Sequence, residues 1–423
     1  MEKIKVDVLS EIGKLECVLI HTPGQEVENM TPESVHRALY SDILNLSAVT
    51  EEYIQLKDIL QKIARVVEVK TLLTEILIDE GIKENLIRDI CEQENVTSEI
   101  PRLLDNPAEI LSRKLIEGVV LPKDNLTKFI SKNRYSLQPL HNFLFTRDAS
   151  MSLWDNLIIG KMASHVRERE PLIMEAIFKE HPFFSANIFN PVRNSRDTTI
   201  LNKATLEGGD LLVAREDVIL VGTGIRTSTE GIDFLIEMIK EKKSGLKHLI
   251  VQELPSEPES FIHLDMTFTF LDRNFCILYE PLILRKNRYQ TIHIQIDNGK
   301  VKGIKEEDNI LQVMNSIGFD IKPVYCGGKG DPLLMEREQW HSAANFLALA
   351  PGKVIGYERN DYTLEDLNKN GFEIIKAADF IRDDLNIDDY KRLVITIPGS
   401  EMARGGGGPR CLTMPLRRQR IEW

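Results

Sequence analysis

The sequence predicts an α/β fold built from a repeated strand–turn–strand–helix–strand unit, with one helical segment inserted. Two observations predict it. Short apolar strands come in pairs joined by tight polar turns, with pairs starting near residues 151, 211, 266 and 346. Helical stretches and further strands follow them, and a unit that recurs in this way suggests radial repetition about a centre. The second observation is compositional. Residues 74–133 are rich in Leu, Ile, Glu, Asp and Lys and poor in Gly and aromatic residues, unlike the rest. The plainer alternative for the repeat is a generic α/β sheet.

Taken in order, the chain begins with LECVLIHTPG, an apolar run ending in a Pro-Gly turn. In the distinct segment, GIKENLIRDICEQENV and NPAEILSRKLIEGV space apolar residues three and four apart, which is helical periodicity. Asn106-Pro107 suits a helix start, with proline at the first helical position. The hairpins are MSLWDNLIIG, DLLVAREDVILVG, TFTFLDRNFCILY and FLALAPGKVIGYE, with turns at Trp-Asp-Asn, Arg-Glu-Asp, Asp-Arg-Asn and Pro-Gly-Lys. TEGIDFLIEMIKEKK then leads to the strand KHLIVQEL, and TLEDLNKN to FEIIKAA. A fifth unit comes either from LECVLIHTPG or from the last strand around Cys411. The expected division is residues 1–73, a helical insertion at 74–133, and 134–423.

Composition excludes several function classes. The 423 residues are 42% hydrophobic and 28% charged, an ordinary globular balance. A net charge of −12 disfavours nucleic acid, whose phosphates need a basic surface. No apolar run is long enough to span a membrane, and the charged N-terminus does not read as a signal peptide, so the expected location is cytoplasmic. The basic cluster Arg417, Arg418 and Arg420 is expected on a solvated or inter-subunit face. There are five cysteines and no CxxC pair, which disfavours structural zinc, a redox dithiol or a disulfide framework.

Polar residues recur where the hairpins begin. HNFLFTRDAS carries Asn142, Arg147 and Asp148; LEGGD carries Glu207 and Asp210; FIHLDMTF carries His263 and Asp265; and ARGGGGPRCLTMPL carries Cys411. Singly, each has an ordinary explanation. His263-x-Asp265 reads as a strand pair facing one side, the Gly-Gly as a turn, and Cys411 as a buried structural thiol. In a radial architecture the four segments converge on one centre. A cysteine, a histidine and several carboxylates without a metal motif point to covalent thiol catalysis on a cationic substrate, since carboxylates match a guanidinium by paired hydrogen bonds.

In this order FTRD, EGGD, HLD, REQW and RGGGGPRCLTMPL resemble the arginine deiminases of the guanidino-group-modifying superfamily, from LECVLIHTPG to the C-terminus. The resemblance implies a five-bladed, pseudo-symmetric α/β propeller of ββαβ units with an inserted helical subdomain. It implies hydrolysis of L-arginine to L-citrulline and ammonia with no metal or organic cofactor, and a homo-oligomer. By the same resemblance Cys411 is the nucleophile, His263 the general acid and base, Asp148 and Asp265 the carboxylates on the guanidinium, and Glu207 the support of the histidine. Asn142, Arg167, Asp210 and Arg226 are implied to bind substrate. Arg167 and Arg226, which hold the α-carboxylate, each follow their motif carboxylate, Asp148 or Glu207, by 19 residues. Asp210 also orients its neighbours.

Two departures stand out. Many members of the family have arginine in place of Gly406, in a loop that closes over the site, and Asp-Gly within the stretch Trp340-His341-Ser342-Ala343-Ala344. His341 either replaces a lost polar group or fills space. The alternatives left open are a related guanidine-modifying enzyme (a dihydrolase, an amidinotransferase or a modified-arginine deiminase) and a non-catalytic arginine-binding protein.

Overall fold

The structure, a computed structural model, describes residues 3–35, 40, 42–194, 203–243 and 245–423. Every expected hairpin forms. Ser150–Leu153 pairs antiparallel with Asn156–Ile159, Leu211–Arg215 with Val218–Thr223, Phe268–Asp272 with Phe275–Leu278, and Leu347–Ala350 with Lys353–Tyr357. The second strand of each hairpin then gains a parallel neighbour: Asn187–Phe189, Leu246–Glu253, Lys322–Tyr325 or Leu393–Ile397. A parallel partner requires a crossover connection, and helices such as Arg169–Glu180 and Thr229–Glu241 supply it. Ser228 opens the second of these helices, its side chain accepting the Gly231 N–H.

A fifth sheet of the same form joins the two ends of the chain. Leu15–Ile20 pairs antiparallel with Met414–Arg418 and parallel with Arg65–Glu68, which follows the helix Leu46–Ile63. The two segments expected as alternative sources of a fifth unit therefore lie side by side. The result is an α/β fold of repeated hairpin-plus-parallel-strand sheets.

Several details differ from the expectation. Glu373–Lys376, the strand read from FEIIKAA, lies at the sheet edge, and Leu393–Ile397 takes the place beside the hairpin. The hairpin Thr291–Asp297 and Lys300–Glu307 leaves the third unit to extend the second sheet. Pro107 is the N-cap of the helix Ala108–Glu117 rather than its first residue. The helix Val69–Ile76 begins before residue 74. Arg418 is not on a solvated face: its strand turns it inward, where it donates to the carbonyls of Gly13 and Ala348 at 2.7 and 2.8 Å.

The helices Val69–Ile76, Glu80–Gln93 and Ala108–Glu117 bury Leu73, Leu86, Ile90, Leu111 and Leu115 in a core shared with Ile173 and Ile177 of Arg169–Glu180. Each such side chain contributes about 1.5–3 kcal/mol through removal from water. This binds the helical stretch to the sheet that carries Asp148. Among the described residues no helix is long and apolar enough to cross a membrane.

Candidate active site

Each sheet is entered through a short turn, and the turns carry the chemistry. Asp148 lies in the helical turn Thr146–Ala149, directly before the strand Ser150–Leu153. Glu207 caps the turn Gly208–Asp210 before Leu211–Arg215, and His263 caps Leu264–Met266 before Phe268–Asp272. Cys411 precedes Met414–Arg418. His263 and Asp265 are thus not strand neighbours. His263 is extended and Asp265 sits in a 3₁₀ turn, so the period-two argument does not place them; the turn does.

The Gly208-Gly209 pair is what lets these turns meet. A Cβ on Gly209 would stand 2.6 Å from His263 Nδ1, and one on Gly208 would strike the Arg147 carbonyl. Only glycine admits that approach.

His263 is buried among acids. Its Nε2 bonds to Glu207 Oε2 at 2.9 Å, and its Nδ1 lies 3.8 Å from Asp148 Oδ1. Burial alone would lower its pKa, but Asp148, Glu207 and Asp210 outweigh burial and push it up to about 9. The ring is an imidazolium at neutral pH, so Nε2 donates. Burial favours protonating Glu207, yet the His263 hydrogen bond and the Arg226 charge hold it well below the usual carboxylate range. Its other oxygen, Oε1, accepts the Ala163 N–H at 2.9 Å. Asp148, Glu207 and His263 offer ligand atoms within 4.8 Å of one another, a spacing that fits a cation. With His263 protonated, however, that face of the trio donates protons rather than lone pairs.

Cys411 lies across the site, its sulfur 3.5 Å from Asp265 Oδ2. Burial, Asp265 and Asp148 all push the thiol well above its ordinary pKa, so the resting residue is an S–H. Asp265 is held in turn by Arg410, whose Nη1 donates to Oδ2 at 2.8 Å. Arg410 forms a fork with Glu11, with bonds of 3.0 Å from both Nε and Nη2. The Glu11–Arg410–Asp265 chain is buried.

The residues expected to bind substrate take varied places. Arg167 donates to Asp148 Oδ2 at 2.8 Å and forks onto Glu170 with Nε and Nη2, so its charge is already compensated. Arg226 Nη1 lies 3.8 Å from Glu207 Oε1. Asn142 lines a cavity of about 200 Å³ with His141, His165 and Arg169. Asp210 accepts the Leu264 N–H at 2.9 Å, between His263 and Asp265. That contact fixes the turn between His263 and Asp265, and burial raises the Asp210 pKa to about 7.

Sequence reasoning missed Glu11, Glu170 and Asn345. Glu11 touches Arg410 across 399 positions of sequence, and no local pattern reports such a contact. Asn345 did carry a signal: it lies directly before the fourth hairpin, at the place where the other units hold their polar groups. The two departures resolve differently. Gly406 has φ of +79°, and a Cβ there would meet nothing within 4 Å. His341 does not join the cluster described above. Arg359 Nη2 donates to its Nε2 at 3.1 Å, and Arg359 also holds the carbonyls of Gly399 and Ser400.

Comparison with known proteins agrees with this geometry. The sequence model of the family described as arginine deiminase matches residues 36–418. The arginine deiminase of Borrelia duttonii (strain Ly) is 31% identical, over 98% of each chain. Among solved structures, the N-terminal domain of ArgZ, covalently bound to a reaction intermediate, matches with a TM-score of 0.52 at 14% identity, over 95% of this chain and 98% of that one. SxtG, an amidinotransferase from Microseira wollei, matches with a TM-score of 0.54 at 12% identity, over 99% and 98%. At these identities the two structures speak for the α/β fold alone.

Proposed function

The chain belongs to the arginine deiminase family, and from that premise we propose that Cys411 carries the hydrolysis of L-arginine to L-citrulline and ammonia through a covalent thiouronium, with His263 as acid and then base. The observation that carries this reading is the pairing of a buried, protonated histidine with a buried thiol across a floor of carboxylates.

The steps follow from the charges. Asp148 and Asp265 bind the guanidinium cation, and its positive charge beside Cys411 opposes the burial and the carboxylates that hold the thiol protonated. The thiol gives its proton to solvent, and the thiolate forms a C–S bond to the guanidinium carbon. The C–N bond to a terminal nitrogen then breaks as His263 donates its proton, and ammonia leaves. His263, now neutral, takes a proton from water. That water attacks the thiouronium carbon, and as the C–S bond breaks the remaining hydroxyl proton passes to the departing sulfur, so that citrulline and the resting thiol separate. Glu207 keeps His263 oriented and basic. Arg167 and Arg226 receive the α-carboxylate, and Arg167 exchanges part of its contact with Asp148 or Glu170 to do so. Substrate-binding by Asn142 fits its place beside the cavity of about 200 Å³. The same reading arranges the five sheets as blades of a pseudo-symmetric propeller, with residues 74–133 as a helical insertion. Its support is that a functional turn enters each sheet.

A timed assay with L-arginine tests this, comparing the wild type with Cys411→Ala and scoring citrulline, ornithine and ammonia separately. Citrulline and ammonia in equal amounts, absent in the variant, are expected. Ornithine with a second ammonia, or full activity of the variant, would overturn the reading.

A further inference from the structure

We propose that Asn345 is a further catalytic residue, its side-chain amide donating a hydrogen bond to Cys411 Sγ and stabilising the thiolate. This rests on Cys411 being the nucleophile. The amide orientation follows from its partners. The backbone N–H of Cys411 can only donate, and it reaches Asn345 Oδ1 at 3.1 Å. Nδ2 therefore faces the other way, where the Asp265 carbonyl accepts at 3.1 Å and Cys411 Sγ at 3.2 Å. One amide thus grips the nucleophile at its backbone and its sulfur, and ties both to the Asp265 turn.

The surroundings are built for this contact. Asn345 is fully buried. A Cβ on Gly408 would lie 2.7 Å from Asn345 Cβ and 2.8 Å from Oδ1, so the glycine run leaves room for the amide. Asn345 closes the turn in which the chain departs from its family, its N–H donating to the Ser342 carbonyl at 3.0 Å. Ser342 holds a left-handed φ of +58° there. Asn345 also occupies in the fourth sheet the place that Asp148, Asp210, Asp265 and Cys411 occupy in theirs.

The sulfur gains from such a donor. Burial, Asp265 and Asp148 all oppose its ionisation, a hydrogen bond from the Gly408 main chain and the Arg410 charge favour it, and Tyr357 also senses the sulfur. Arg410 already spends its donors on Glu11, Asp265 and the Leu211 carbonyl. A donor aimed at the sulfur strengthens as charge builds on it and weakens again when the C–S bond forms.

The test measures Cys411 alkylation by iodoacetamide against pH, together with kcat and KM, in Asn345→Ala and the near-isosteric Asn345→Asp. Alkylation reports the thiolate without turnover. Asn345→Ala is expected to move the alkylation midpoint up by about one to two pH units and to lower kcat roughly ten- to a hundredfold, with KM changed less than about threefold. Asn345→Asp keeps an acceptor for the Cys411 N–H but sets a negative charge on the sulfur, so it is expected to lose more. If Asn345→Ala fails to fold, Asn345→Asp decides. A folded variant with the wild-type midpoint and wild-type kcat overturns the proposal. Activity surviving in Cys411→Ala would instead overturn the reading on which it rests.

Discussion

At the scale of single residues the site is a problem of opposed charges. His263 holds its proton because three acids outweigh its burial, while Cys411 holds its proton because burial and two of the same kind, Asp265 and Asp148, act together. A substrate cation on Asp148 and Asp265 relieves the second, while Glu207 and Asp210 still support the first. The pH dependence follows. In the proposed mechanism the leaving nitrogen takes its proton from the imidazolium, so activity should fall as pH rises through about 9. The folded pKa is raised above the unfolded one, so His263 also stabilises the fold fully below about 6.5, and that contribution disappears as pH rises through about 9. Replacing Glu207 with Gln removes the hydrogen-bonded carboxylate and should shift the falling limb of the kcat/KM profile to lower pH. A limb that stays in place would detach it from His263. At this scale the sequence displayed the ionisable groups but not their pairings. Glu11 and Arg410 are far apart in the chain, and only the folded site shows that Asp265 depends on both.

At the scale of elements, the hairpins were legible because alternating apolar residues and polar turns are local signals, and the turns that hold the chemistry were less so. The 3₁₀ turn Leu264–Met266 has no periodicity of its own. It is set by Asp210 accepting the Leu264 N–H and by the adjoining glycines, both from another unit. The loop before Cys411 is likewise fixed from outside. The buried carboxylate of Glu52, in the helix Leu46–Ile63, accepts the N–H groups of Ser400, Glu401 and Met402 at 2.7 to 3.2 Å. Arg359 holds the carbonyls of Gly399 and Ser400, and the Tyr357 hydroxyl donates to that of Gly407 at 2.9 Å. Glu52 is thus a latch on the loop before Cys411. Glu52→Ala should lower stability by about 2 kcal/mol and strip hydrogen-exchange protection from the Ser400, Glu401 and Met402 amides. Activity should fall with a rise in KM. Exchange unchanged at those three amides would show that the loop is held by its other contacts.

At the scale of the whole molecule, the repeat places its two ends in one sheet, and this carries Cys411 to Asp265 and Asn345. Cys411 reaches Asp265 and Asn345 because the strand after it, Met414–Arg418, is fixed between Leu15–Ile20 and the body of the protein. The sequence offered both segments as alternatives. It could not show that they pair, because pairing across almost the whole chain leaves no trace in local composition. The strand is also part of the core: Met414 and Leu416 are fully buried, and Arg418 donates to two main-chain carbonyls. Losing two such apolar side chains costs about 2–5 kcal/mol each, before the ladder and the Arg418 bonds are counted, against a typical total stability of about 5–15 kcal/mol. Deleting residues 413–423, which leaves Cys411 in place, should therefore abolish cooperative thermal unfolding as well as activity. Deleting only residues 421–423 removes the half-exposed Trp423 and its edge contact with Phe319, and should leave both nearly intact. Circular dichroism melts of the two truncations discriminate. A chain ending at residue 412 that melts cooperatively at the wild-type temperature would mean that the terminal strand only presents the thiol and is not needed to close the fold.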